Sequence, residues 1–86
     1  MIDLAMIQKQ GLILARRRGL AQSPLHSLDH LVGEVEEVRA EFVKGDIQNL
    51  AYELADVVLV TSSIAAALNI DLEKAILEKH LYNMER

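Results

Sequence analysis

The sequence predicts an all-α protein: a four-helix antiparallel bundle-like subunit that oligomerises. Three observations predict this. Apolar residues recur at helical spacing along most of the chain, and the alternating pattern of a half-buried strand persists nowhere. Four such stretches are separated by short breaks of about two to six residues, which make consecutive helices antiparallel neighbours. Finally, 51% of the 86 residues are hydrophobic and nearly all of these are aliphatic. That is more apolar surface than a chain of this size hides alone, so part of it is expected to meet another subunit.

The first helix is expected from about Asp3 to Arg18, with Leu4, Ile7, Gly11, Leu14 and Ala15 on its inner side. Arg16, Arg17 and Arg18 favour its C-terminal end and Gly19 stops it, so the arginines are read as a solvated helix end. Ser23 and Pro24 suit the cap and first position of a second helix, which runs to about Lys44 before Gly45. Leu28, Leu31, Val32, Val35, Val38 and Phe42 form its apolar stripe. Asp46 caps a third helix reaching about Leu68, apolar on most sides and expected to be buried all round, partly by another subunit. Asn69 can take the left-handed conformation that ends it. Asp71 caps the fourth helix, which turns Leu72, Ala75, Ile76, Leu81 and Tyr82 inward.

The chain forms one domain, 1–86, and has no cysteine for disulfides or thiolate metal sites. Met1-Ile2-Asp3-Leu4 lacks the basic and apolar regions of a signal peptide. The longest apolar stretch, Val57 to Ile70, is interrupted by polar residues and shorter than the roughly 20 residues of a membrane span. A soluble, cytoplasmic protein without membrane contact is therefore expected. The net charge of −4 argues against binding a nucleic-acid polymer.

Two acidic pairs stand out. Glu34 and Glu37 are spaced to share a face of the second helix, and Glu53 and Asp56 a face of the third. At about 100° per residue, Glu34 lies about 40° beyond Val38, and Glu41 falls between Glu34 and Glu37 in angle. Glu53 falls inside the third helix's apolar stripe, between Leu50 and Val60, and Asp56 borders it. A core pattern would put leucine at position 53. An isolated ionised carboxylate there is very costly. It calls for a cation, either a metal ion or Arg39 in a buried salt bridge. A single pair of glutamates three apart is ordinarily a solvated face, which is how Glu36 is read. Two pairs on consecutive antiparallel helices can instead face one cleft. Oxygen ligands suit a hard cation, Mg²⁺ first and Mn²⁺ as a substitute. His26, His30 and His80 share no metal-binding spacing and are read as surface or boundary residues. Thr61, Ser62 and Ser63 are expected to bond back to the preceding turn or a neighbouring helix.

The order E-x-x-E, spacer, E-x-x-D, filled here by Glu34, Glu37, Glu53 and Asp56, resembles the MazG-like family of all-α nucleoside triphosphate pyrophosphohydrolases. Glu53-Leu54-Ala55-Asp56-Val57 and the turn Asn69-Ile70-Asp71-Leu72-Glu73-Lys74-Ala75 look like the family as well. Lys79, Asn83 and Arg86 match its K-x-x-x-N-x-x-R ending, so the similarity covers about Leu28 to Arg86. The resemblance implies a homodimer or homotetramer, often with a site completed by a neighbouring chain. It implies Mg²⁺ held by Glu34, Glu37, Glu53 and Asp56, and cleavage of a nucleoside triphosphate to monophosphate and pyrophosphate. Glu37 or Glu41 would take the proton of the attacking water, and Lys79, Asn83 and Arg86 would contact phosphate or sugar. The alternatives are a phosphoribosyl-ATP pyrophosphohydrolase or dUTPase-type relative, and a non-catalytic helical dimerisation or regulatory module that keeps the fold.

Overall fold

The computed structural model describes residues 3–17 and 24–86. It contains four helices, α1 (Leu4–Arg17), α2 (Pro24–Lys44), α3 (Ile47–Ala67) and α4 (Leu72–Glu85), and no strand among the described residues. The expected cap Ser23 and the stops Arg18 and Gly19 lie outside the described residues, as do the side chains of Leu14 and Ala15.

The helix ends follow from short polar side chains and two left-handed residues. Asp3 Oδ1 accepts from the Met6 amide at 2.7 Å, which satisfies a free donor at the start of α1. Asp46 Oδ1 accepts from the Asn49 amide at 3.0 Å, and Asp71 Oδ1 from the Lys74 amide at 3.1 Å. Gly45, at φ 77°, turns the chain from α2 into α3, and Asn69, at φ 58°, turns it out of α3. In the turn after α3, the Ile70 amide donates to the Ala65 carbonyl at 2.8 Å.

α3 is the central element. It packs along α2 on one side and α1 on another, whereas α4 makes only a small contact, with α1. Ser27, Leu31, Glu34, Val38 and Glu41 are the partly buried positions of α2, and Leu50, Glu53, Val57 and Val60 are partly buried positions of α3. Both sets repeat at three- and four-residue steps, so they are the two facing edges of an antiparallel hairpin. The second half of α3 meets α1. Gly11, Ser62 and Ala65 are the buried residues among those described, and all three are small. A Cβ on Gly11 would stand 2.7 Å from Ser63 Oγ and 3.6 Å from the Leu59 carbonyl, so glycine here permits the close crossing of α1 over α3. Thr61, Ser62 and Ser63 each donate a hydroxyl hydrogen to the carbonyl four residues back, at 2.7, 2.8 and 3.1 Å. Their polarity is thereby satisfied inside the helix that carries it. Gln8 Nε2 donates to the Ile70 carbonyl at 2.9 Å and ties α1 to the turn before α4.

Three expectations need correction within the single subunit. α3 is not buried all round: Leu54, Val58 and Leu59 are about half exposed. The apolar stripe of α2 splits, with Leu31 and Val38 against α3 and Leu28, Val32, Val35 and Phe42 turned outward. On α4 only Leu72 is partly buried, and Ala75, Ile76, Leu81 and Tyr82 are exposed. The common cause is that periodicity marks which face is apolar, not which neighbour covers it. The membrane-span expectation also needs amending. The 21 residues of α3 are long and apolar enough by length and composition to cross a bilayer. Glu53 and Asp56 lie on this helix, which packs along α2 and α1 and leaves Leu54, Val58 and Leu59 about half exposed.

Candidate metal centre

The α2–α3 hairpin brings carboxylates together at its seam. One oxygen each from Glu34, Glu37 and Glu53 lie within 4.8 Å of one another. Glu34 and Glu53 are partly buried, and Glu37 and Asp56 are exposed at the rim. The Glu34 side chain is 13% exposed, whereas Val32 and Val35 on the same helix are 61% and 50% exposed. A helix that buries a carboxylate more deeply than two of its valines is organised around something other than apolar packing.

The electrostatics agree. Glu53 is raised from the usual 4.5 to about 7, first by a hydrogen bond shared with Glu37, then by desolvation, then by the charges of Glu37, Asp56 and Glu34. Glu34 is raised as well, chiefly by desolvation and then by Glu37 and Asp56, while His30 pulls it partway back. Without a cation, the seam holds its carboxylates only by retaining protons.

The second oxygens of Glu34, Glu41 and Glu53 are buried and have no hydrogen-bond partner. Among the described residues no lysine or arginine pairs with Glu53; the salt bridges join His30 to Glu34, Lys44 to Glu41 and Lys74 to Glu78. The buried pairing of Glu53 with Arg39 is therefore not formed. Orphaned acceptor oxygens and an oxygen-only donor set fit a hard divalent cation. Glu34, Glu37 and Glu53 could hold it, and Asp56 is close enough for its charge to act on Glu34 and Glu53.

Of the other expected site residues, Glu41 faces the same seam one turn beyond Glu37, with Lys44 Nζ at 3.5 Å from its Oε1. Lys79 and Asn83 lie on α4 and Arg86 directly follows it, and α4 makes no extensive contact with α2 or α3. There Lys79 Nζ sits 4.6 Å and Arg86 Cζ 5.6 Å from the centre of the Tyr82 ring. The subunit thus gathers the carboxylates of α2 and α3 and leaves the α4 residues apart. Sequence reading missed His30, whose Nε2 stands 3.4 Å from Glu34 Oε1. The signal was its i, i+4 spacing to Glu34, which a search for metal-ligand spacing among histidines passes over.

Helices α2 and α3, with their convergent carboxylates, define an all-α protein with a site suited to a divalent cation. Residues 22–81 match the MazG nucleotide pyrophosphohydrolase domain, and the chain belongs to that family. No curated protein and no solved structure matches it. The matched segment contains Glu34, Glu37, Glu41, Glu53, Asp56 and Lys79, and stops before Asn83 and Arg86.

Proposed function

We propose that this chain hydrolyses nucleoside triphosphates to the monophosphate and pyrophosphate, using Mg²⁺ with Mn²⁺ as a substitute. The observation that carries the reading is the trio Glu34, Glu37 and Glu53, in a chain of the MazG family, with buried oxygens that nothing in the subunit satisfies. Mg²⁺ bound there supplies neutralisation of the triphosphate and added acidity for the attacking water.

The residues do the rest. Glu34 and Glu53, held by the helix seam, are the fixed ligands, and Asp56 joins them from the rim. His30 holds Glu34 Oε1 in one orientation and leaves Oε2 directed inward. Glu37 is exposed at the rim with an oxygen within 4.8 Å of oxygens of Glu34 and Glu53, which places it to receive the proton of the incoming water. Glu41 is the second candidate for that role. Water oxygen bonds to the α-phosphorus, the bond from that phosphorus to the bridging oxygen breaks, and pyrophosphate leaves. Lys79, Asn83 and Arg86 would contact phosphate or sugar, brought to the site by assembly of subunits into a dimer or tetramer.

The test is pyrophosphate release across the common and the damaged nucleoside triphosphates, with Mg²⁺, with Mn²⁺ and with chelator. The reading expects at least one triphosphate to be cleaved to monophosphate and pyrophosphate, with activity lost in chelator. Release of orthophosphate alone, or turnover indifferent to chelator, would contradict it.

A further inference from the structure

We propose that Lys44, at the end of α2, is a further substrate-binding residue that takes the outer phosphates of the triphosphate, the ones that leave as pyrophosphate. The inference rests on the reading of the α2–α3 seam as a metal-dependent triphosphate site. It adds what that seam needs within the subunit, a permanent positive charge beside the carboxylates. A triphosphate carries more negative charge than one divalent cation cancels, and the remainder calls for a cationic side chain. Lys79 and Arg86 lie apart from the seam in the subunit.

The hairpin offers few candidates. α3 contains no lysine, arginine or histidine, and α2 contains His26, His30, Arg39 and Lys44. At about 100° per residue, Arg39 stands about 160° round α2 from Glu37, on the opposite side of the helix. His30 is engaged with Glu34 Oε1 at 3.4 Å. His26 is in the first turn of α2, more than two turns before Glu34. Lys44 follows Glu37 by seven residues, which returns it to within about 20° of the same line on the helix. Long side chains on a helix lean toward its N-terminus, and Lys44 does so: its Nζ stands 3.5 Å from Glu41 Oε1, one turn back toward the carboxylates.

The ammonium is anchored and still has donors to give. The Glu41 side chain is 15% exposed and that of Lys44 is 67% exposed, so a carboxylate held in the seam tethers an ammonium that stands in solvent. Glu41 accepts one of the three N–H groups of Lys44. Asp46, the next carboxylate along the chain, has its oxygens engaged by the amide and side chain of Asn49. The other two donors of Lys44 are left for phosphate oxygens. A triphosphate whose α-phosphate meets the cation at Glu34, Glu37 and Glu53 therefore runs along the rim of α2 toward Gly45, with its outer phosphates at Lys44.

The experiment uses the full chain, with inorganic pyrophosphate and Mg²⁺ as the probe in a calorimetric titration, so the readout does not depend on turnover. Lys44→Gln should bind pyrophosphate at least about tenfold more weakly than the wild type, the loss of one charge-assisted hydrogen bond. Lys44→Arg, which keeps the charge, should retain most of the binding. Arg39→Gln, the same charge change on the other side of α2, should bind as the wild type does. Mg²⁺ alone should bind equally to all four proteins, and helix content should be unchanged, because an exposed ion pair contributes little to folding. In turnover, Lys44→Gln should raise KM for the triphosphate about tenfold and keep kcat, as loss of uniform binding does. Pyrophosphate binding that is unchanged in Lys44→Gln, equally weakened in Arg39→Gln, or absent from the wild type would overturn the inference. Triphosphate cleavage that proceeds unaltered in Lys44→Gln overturns it while leaving the proposed function standing. Lys44-dependent pyrophosphate binding in a chain that cleaves no triphosphate upholds it and removes the proposed function instead.

Discussion

Glu53 of α3 and Glu37 of α2 bring carboxylate oxygens within 4.8 Å of one another across the helix seam, and Glu37 is the first cause of the rise of Glu53 to about 7. Two carboxylates can share a hydrogen bond only if one holds a proton. A divalent cation bound between them would replace that proton, which would couple protonation, metal binding and stability at this pair.

Replacing Glu53 by glutamine should remove a ligand while keeping the fold. The amide of Glu53→Gln can donate to Glu37 as the shared proton does. Metal-dependent turnover should fall at least about 100-fold, since even outer partners of metal ligands carry roughly 10- to 100-fold effects. Helix content by circular dichroism should be unchanged. Full turnover in this variant would remove Glu53 from the site.

The pH dependence of stability follows from the direction of the two shifts. Glu34 and Glu53 hold their protons to higher pH in the folded protein than in the unfolded chain. The contribution of Glu53 is therefore complete below about pH 4.5, the unfolded value, and is lost as pH rises through about 7, and that of Glu34 is lost in the same direction. The metal-free protein should lose the Glu53 contribution between about pH 4.5 and 7, and added Mg²⁺ should restore stability at the upper end by mass action. Thermal melts of the wild type and Glu53→Gln, with and without Mg²⁺, check this. The variant's metal-free melting temperature should depend less on pH than the wild type's.

Much of this was legible in the sequence, and the limits have physical causes. Gly45, Asp46, Asn69 and Asp71 mark helix ends because their conformations and side-chain acceptors act locally. The pairing of the two acidic motifs was legible because an antiparallel hairpin with a short turn must bring them together. The division of the α2 stripe between Val38, facing α3, and Val32, facing outward, was not. Both valines satisfy one helical period, and only the neighbour decides between them. The same holds for Ile76 and Leu81 of α4, expected to face inward and found exposed.

The α1–α3 crossing makes Gly11 sensitive to size. In Gly11→Ala the new Cβ displaces the Ser63 hydroxyl from its bond to the Leu59 carbonyl, but this is offset by about 1 kcal/mol of helix propensity. The net change should stay within about 1 kcal/mol. Gly11→Leu has no such room against the Leu59 carbonyl and the Ser63 backbone, and should cost about 1–3 kcal/mol. Denaturant unfolding of both variants checks the difference.

Asp46→Ala removes the acceptor for the Asn49 amide and, through Oδ2, for the Asn49 side chain at 3.0 Å. The loss should be about 1 kcal/mol. For a domain of this size that lowers the melting temperature by about 4–8 °C. Asp46 is remote from the carboxylate seam in role, so turnover at low temperature should be kept.

Calorimetric titration of the full chain with Mg²⁺ near pH 7, in two buffers of different ionisation enthalpy, reads cation binding and proton release together. Saturable binding that expels a fraction of a proton, and that is lost in Glu53→Gln, is the predicted result. Wild-type protein that takes up no divalent ion, or a Glu53→Gln variant that binds it as the wild type does, would contradict the assignment of this seam as a metal centre.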